Sequence, residues 1–460
     1  MERYLVTVTL GSEVETMAWN IFMIGLDELS DHLLPHLRHA EEYVIHPLLA
    51  LDEVVHADEY RFDRLLQDAL DQLEQFPGSV DAIVGYWDFP TSLLAPVLCQ
   101  RLGLRGPSLE AVLKCEHKYW SRLEQAKVVP EYVPSFQMLD PFDDRATESI
   151  HIDYPFWIKP VKAHSSRLGF HVADVEQLRD VLPLIRKGIG HFGRPFDDVM
   201  AYVELPEEIA AVTGHHCILE SIISSGRQCT LEGYVQHGEV HLTGTVDSIR
   251  DSQHPSVLMR YEYPSTLPEP VQQRMLAATR GIIGQVGYDD APFNIEFFYE
   301  TDNDCVWLLE INTRISRSHA AIFHLVDGAP HIQVMVDVAL GMAPRMPHRE
   351  GLYPLAAKQM LRVFEDGVVR RVPSREDIQC VEEAFPGTVV DIDVHEGMRL
   401  SDLRHQDSFS WELGVLFIGA DSHDELLSRI AWCSDRLSFD IEPLAGQGAS
   451  AAGPDDGAST

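Results

Sequence analysis

Residues 307–316 read WLLEINTRIS, with Glu310, Asn312 and Arg314 at every second position and Leu309, Ile311 and Thr313 between them. This is the period of a β-strand, and it places the three polar side chains on one face. Just upstream, FNIEFFYE carries Glu296 on an equally apolar run, and the intervening TDND has turn chemistry. The two runs predict a hairpin that can bring Glu296 and Glu310 to the same side.

Elsewhere the pattern changes period. From Tyr4 to about Leu104, strand-like runs (YLVTVTL, DAIVGYW) alternate with segments whose apolar residues recur three and four apart (RLLQDALDQLEQF, SLLAPVLCQRLGL). Such βα alternation predicts a small open sheet with helices on its faces. A helix follows in KCEHKYWSRLEQAKVV, broken at Val129-Pro130. Then come strands YPFWIKPV and LGFHVAD around the loop KAHSS, and a helix VEQLRDVLPLIRKGI. From Cys217 the chain is strand-rich: CILESII, QCTLEGYVQ and GEVHLTGTVDSIRD, then the Glu296 and Glu310 runs. The turns SSGR and QHG between them predict a long antiparallel sheet. After Pro330 a helix, HIQVMVDVALGM, leads into a segment mixing strands (AAKQMLRVF, GTVVDIDV, GVLFIGA) with the helix SHDELLSRIAWCSDRL.

The polar face of the hairpin needs a chemical reason. Buried carboxylates cost several kcal/mol, roughly, unless paired or bound to a cation. One Glu with one Arg reads most simply as a buried ion pair. Two carboxylates plus the Asn312 oxygen form an all-oxygen set that suits Mg²⁺, which completes its shell with water and phosphate. Arg314, further along the same face, is then placed to hold a phosphoryl group or a carboxylate. A nucleotide should leave other marks. Lys159 ends the buried strand FWIK before a loop of small residues and hydroxyls containing Ser165 and Ser166, and Lys118 stands earlier in CEHKYWSR. Glu220 interrupts CILESII, where a strand edge can offer backbone groups to an adenine.

Composition narrows the partners. The 460 residues hold 36 Lys and Arg against 72 Asp and Glu, a net charge of −36, without a basic stripe. Nucleic acid and anionic membranes are therefore not expected as partners. Seven cysteines without a CxxC pair predict reduced thiols rather than a disulfide framework. The first residues lack a basic region followed by an apolar core, and no run approaches eighteen apolar residues, so a cytoplasmic protein is expected.

In order, Lys118, Lys159 with its loop, Glu220, then Glu296, Glu310, Asn312 and Arg314 resemble the ATP-grasp superfamily over nearly the whole chain. FNIEFFYETDNDCVWLLEINTRIS resembles the corresponding hairpin of biotin carboxylase and of the large subunit of carbamoyl-phosphate synthetase. The resemblance implies an α/β and α+β multidomain ATP-grasp fold. It divides the chain into an N-terminal open α/β domain (1–107), a central domain with an antiparallel sheet (108–344, lid subdomain about 150–215) and a C-terminal mixed subdomain (345–444). Residues 445–460, rich in Ala, Gly and Ser, are expected to be disordered.

The chemistry implied is ADP-forming ligation of a carboxylate, such as an amino acid, to an amine through an acyl phosphate. ATP would be held by Lys118, Lys159, Ser165 and Ser166, with Glu220 and Ile222 at adenine and ribose. Glu296, Glu310 and Asn312 would bind Mg²⁺, with Mn²⁺ as the alternative ion, and Arg314 would stabilise the transferring phosphoryl group. Asp247, Arg260 and His319 are candidate substrate residues. Partners are then small-molecule acids and amines, and because such enzymes are often dimers a homodimer is open. Ser318 stands where biotin carboxylase carries its bicarbonate-activating Glu, which weakens a bicarbonate-dependent alternative. A nucleotide binder without turnover is the remaining reading.

Overall fold

The computed structural model describes residues 18–163, 167–224, 226–254, 256–403, 406 and 409–444. The strand expected at YLVTVTL, the loop residues Ser165 and Ser166, and the tail from 445 lie outside the described residues.

The N-terminal part is a parallel sheet of β1 (Trp19–Ile24), β2 (Tyr43–Leu48) and β3 (Ala82–Val84), in the order β2-β1-β3. Successive residues of β1 enter different cores. Phe22 and Ile24 pack with the helices Phe62–Gln75 and Thr91–Leu102, whereas Ile21 and Met23 pack toward the segment that follows the Glu310 strand. Burial on both faces explains why WNIFMI shows no clean alternation and why the sequence reading did not assign it.

A second, four-stranded sheet is drawn from residues 136–221: β4 (Phe136–Leu139), β5 (Phe156–Pro160), β6 (Phe170–Val172) and β7 (Cys217–Ser221), in the order β4-β7-β5-β6. With the helix Val175–Gly188 it has its own core of Phe156, Ile158, Leu178, Leu182 and Leu219.

The third sheet is antiparallel and eight-stranded. It contains β8 (Arg227–Gln236), β9 (Glu239–Arg250), β10 (Leu258–Tyr263), β11 (Ala291–Glu300), β12 (Cys305–Asn312), β13 (Leu355–Val363), β15 (Val389–Ile392) and β16 (Trp411–Ala420). A separate ribbon pairs β14 (Gly367–Arg371) with β17 (Asp440–Pro443). The large sheet runs β12-β11-β8-β9-β10-β13-β16-β15, so the C-terminal strands β13, β16 and β15 continue the central sheet.

One face of this sheet is closed by the helix Glu269–Val286, which the sequence reading left unassigned. Its buried Val271, Met275, Leu276, Ile282 and Ile283 join Phe293, Ile295 and Phe297 of β11 in one core, and Gly287 at φ +72° ends it. Glycine reaches that left-handed conformation without a Cβ penalty. With the odd-numbered residues of β11 covered, the even-numbered ones, Asn294 and Glu296, face the other side. There they look into a valley between this sheet, the four-stranded sheet and the ends of the parallel strands, whose Lys159 and Asp88 act on Glu310.

Candidate active site

The hairpin forms as expected, with Glu296 and Glu310 directly opposite each other. A bulge between this pair and the next, Phe297 and Leu308, leaves Leu309 as the extra residue. The bulge switches the phase of β12. Val306 and Leu308 are buried before it, Ile311, Thr313 and Ile315 after it. This phase switch aims Glu310 and Asn312 into the valley while the first half of the strand keeps its core contacts. Arg314 lies just past the strand end.

The two acids have different surroundings. Glu310 Oε1 accepts from Lys118 Nζ at 2.7 Å. Burial pushes the Glu310 carboxyl upward, but Lys118 and then Lys159 outweigh it and hold it below the ordinary range. Among the described residues Glu296 receives amide donors alone, Gln228 Nε2 at 2.8 Å and Asn312 Nδ2 at 3.3 Å. Burial and the facing Glu310 raise its pKa, and Arg250 and Arg314 do not offset them. Glu310 thus has an ion-pair partner in Lys118, whereas Glu296 has none among the described residues. Asn312 donates through Nδ2, also to Asn294 Oδ1 at 2.8 Å, which keeps its own Oδ1 available as a ligand. Two facing carboxylates, one of them without an ion-pair partner among the described residues, beside an amide oxygen fit Mg²⁺ or Mn²⁺.

Lys118 opens the helix Lys118–Val128, where the His117 ring caps Trp120 N at 3.2 Å. Its backbone N–H bonds Val161 O at 3.0 Å and its Nζ bonds Ala163 O at 2.7 Å, tying the helix to the loop after β5. Beneath, the buried Lys162 pairs with Glu116, whose other oxygen takes the Thr313 hydroxyl at 2.7 Å. This ion pair joins the end of the helix Leu109–Glu116, the loop after β5 and the hairpin end.

Lys159 and Glu220, neighbours on β5 and β7, form an ion pair at 2.6 Å. Arg122, one turn after Lys118, holds the other Glu220 oxygen at 2.5 Å and donates to Leu308 O and to the bulged Leu309 O, each at 2.8 Å. Burial opposes the ionised form of Glu220, but Arg122 and Lys159 prevail and bring its pKa to about 2. Arg122 was missed in the sequence, where its only signal was its helical spacing from Lys118. Ile222 directly follows β7 at this hinge.

Arg314 pairs with neither hairpin acid. Its Nε and one terminal nitrogen hold Asp88 Oδ1 at 2.9 and 2.7 Å, and Arg317 holds Asp27 at 2.5 Å. Asp27 and Asp88 follow β1 and β3, at the carboxyl ends of the parallel strands, where open α/β sheets bind ligands. Neither aspartate was singled out in the sequence. Of the candidate substrate residues, Asp247 accepts from Arg227, Ser265 and Thr266. Arg260 pairs with Glu262 at 2.6 Å. His319 is buried with Nδ1 2.7 Å from Glu232 Oε1, and its ring lies edge-on to Tyr261 at 4.5 Å. Only His319 adjoins the Arg314 loop.

Residues 197–345 match the family described as carbamoyl-phosphate synthase L chain, ATP binding domain. That match takes in less than half the chain and contains Glu220, Glu296, Glu310, Asn312 and Arg314. A Methanopyrus kandleri protein, carbamoyl phosphate synthase large chain, C-terminal section, is 28% identical over 214 residues, 43% of this chain and 36% of that protein. The L-amino acid ligase from Bacillus licheniformis superposes with a TM-score of 0.65 at 16% identity, covering 93% of this chain and 99% of its own. The chain has the ATP-grasp fold. A second ATP-grasp structure, a Campylobacter jejuni biotin carboxylase in complex with a β,γ-ATP compound, superposes at 0.59 and 16% identity, covering 93% of each chain. No described helix is long and apolar enough to cross a membrane.

Proposed function

We propose that this ATP-grasp protein is an ADP-forming ligase that activates a carboxylate, such as that of an amino acid, and joins it to an amine. The observation that carries this reading is the in-register pair Glu296 and Glu310, flanked by Lys118, Lys159 and Arg314.

Lys118 and Lys159 would bind the ATP phosphates, each exchanging part of its contact with Glu310 or Glu220 for phosphate oxygens. Adenine and ribose would lie at the hinge by Glu220 and Ile222. Glu296, Glu310 and Asn312 would hold Mg²⁺, which when bound neutralises phosphate charge. The substrate carboxylate attacks the γ-phosphorus, forming a C–O–P link as the bond to ADP breaks. The amine then attacks the acyl carbon, phosphate leaves with the C–O electrons, and a proton is released from nitrogen. Arg314, which Asp88 orients, would stabilise the phosphoryl group in both steps. Phosphoryl transfer of this kind needs positioning and charge neutralisation more than covalent help from the protein.

The amino-acid version is supported by the likeness to L-amino acid ligase, which spans nearly all of both chains. The match to the carbamoyl-phosphate synthase ATP-binding family supports a bicarbonate-dependent alternative.

The test is nucleotide product analysis after incubation with ATP, Mg²⁺ and pooled amino acids, with and without bicarbonate and biotin. ADP and phosphate that depend on the amino-acid pool are expected. Dependence on bicarbonate would favour the alternative, AMP and pyrophosphate would rule out the acyl-phosphate route, and nucleotide binding without turnover would favour a non-catalytic binder.

A further inference from the structure

Away from the hairpin, the same sheet face carries a buried cation that the scheme above does not use. The register sets Ser248 of β9, Tyr261 of β10, Lys358 of β13 and Phe417 of β16 side by side across four adjacent strands. Lys358 is 5% exposed. Its ammonium donates to Ser318 Oγ at 3.0 Å and lies 5.8 Å from the Phe417 ring centre. Among the described residues no carboxylate reaches it within 4.0 Å. Three acids act on it from a distance: Glu412, bound by Arg362 at 2.7 Å, Asp391, 3.8 Å from Arg317, and Asp393.

An ammonium has three donors, and burying it against one neutral hydroxyl leaves most of its hydration unreplaced. One strand beyond Tyr261, the Ser248 hydroxyl is buried without a hydrogen-bond partner. Both groups lie on the valley face. Ser318 is held in place by its neighbour His319, which Glu232 fixes at 2.7 Å and Tyr261 covers. The loop that delivers Ser318 begins at Arg314, so its two ends mark the phosphoryl position and the buried cation.

We propose that Lys358 and Ser318 recognise a carboxylate carried by the amine substrate, so that the acceptor is an amino acid rather than a simple amine. This rests on the ligase reading. Strands β11 and β13 are four places apart in the sheet, roughly 19 Å at the usual strand spacing. The carboxylate at Lys358 is therefore separate from the one phosphorylated beside Glu296, and it survives in the product as a free acid.

The experiment is isothermal titration calorimetry of the full chain, preloaded with Mg²⁺ and a non-hydrolysable ATP analogue. It is titrated with each standard amino acid and then with the α-amide and the decarboxylated amine of each binder. At least one amino acid is expected to lose about 10- to 100-fold in affinity as its amide or amine, and by a similar factor in Lys358→Met. Lys358→Arg should retain most of the affinity and Ser318→Ala should lose part of it. Unchanged binding of the ATP analogue reports that each variant is folded. Equal binding of amino acid and amide, unchanged affinity in Lys358→Met, or binding of no standard amino acid would overturn the proposal. ADP release with ATP separates the two readings. Turnover as fast with simple amines as with amino acids sinks the carboxylate subsite alone, whereas Lys358-dependent amino-acid binding without ADP from any pool sinks the ligase reading alone.

Discussion

Glu220 and Glu296 are both single acids on apolar strands, one on β7 and one on the hairpin, yet their surroundings oppose each other. Arg122 and Lys159 close on Glu220 within 2.6 Å and bring its pKa to about 2. Glu296 meets two amides and a second carboxylate, and its pKa rises. A carboxylate already supplied with cations serves as a strut, because its charge is satisfied when the protein stands alone. One left short of cations is suited to binding, because a ligand can supply the missing charge.

That contrast can be broken most sharply at the hairpin. Glu310→Ala should lower ADP formation by about 10³-fold or more, since it removes an electrostatic anchor of the phosphoryl site. Unchanged turnover would end the metal assignment. At the hinge the expected loss is in stability. Glu220→Gln leaves the 3%-exposed Arg122 without its carboxylate and should cost roughly 3 kcal/mol in denaturant unfolding. Glu296→Gln should leave stability unchanged or raise it by up to about 1 kcal/mol. If both substitutions destabilise alike, the distinction between strut and ligand fails.

Acid titration gives a further separation. The Glu220 carboxyl falls from its ordinary 4.5 to about 2 in the folded protein, so its stabilising contribution is complete above pH 4.5 and lost as pH falls toward 2. The stability difference between the wild type and Glu220→Gln should shrink over that window, and a difference independent of pH would count against the ion-pair account. Ligand binding gives a last comparison. Mg²⁺ with ATP at ten times the dissociation constant should stabilise the wild type by about 1.4 kcal/mol. Glu296→Gln should need more Mg²⁺ for the same shift in thermal midpoint.

Much of this was legible in the chain. Period-2 alternation around TDND correctly predicted the hairpin and that Glu296 and Glu310 can face the same side, because side-chain direction in a strand follows directly from position. The order of lysines and acids pointed to the ATP-grasp fold that the structural comparisons show. Other parts were hidden for definable reasons. Strand β1 is buried on both faces and so has no period to detect. The helix Glu269–Val286 carried helical spacing but no element was assigned to it. The bulge at Leu309 shifts the phase of β12 by one residue, and nothing local in WLLEIN marks where the shift falls.

The sequence by itself determined many of the strands, which of them carry acids, and that two of those acids can share one face, since these depend on backbone geometry and neighbouring residues. Only the tertiary structure decided what each charge meets. Arg122 reaches Glu220 across 98 residues, and Arg314 reaches Asp88 across 226. The energy of a buried charge depends on distance and on the water excluded around it, and neither quantity is set by separation along the chain. For that reason Glu220, Glu296 and Lys358 differ in what they can bind, although each is one charged residue on an apolar strand.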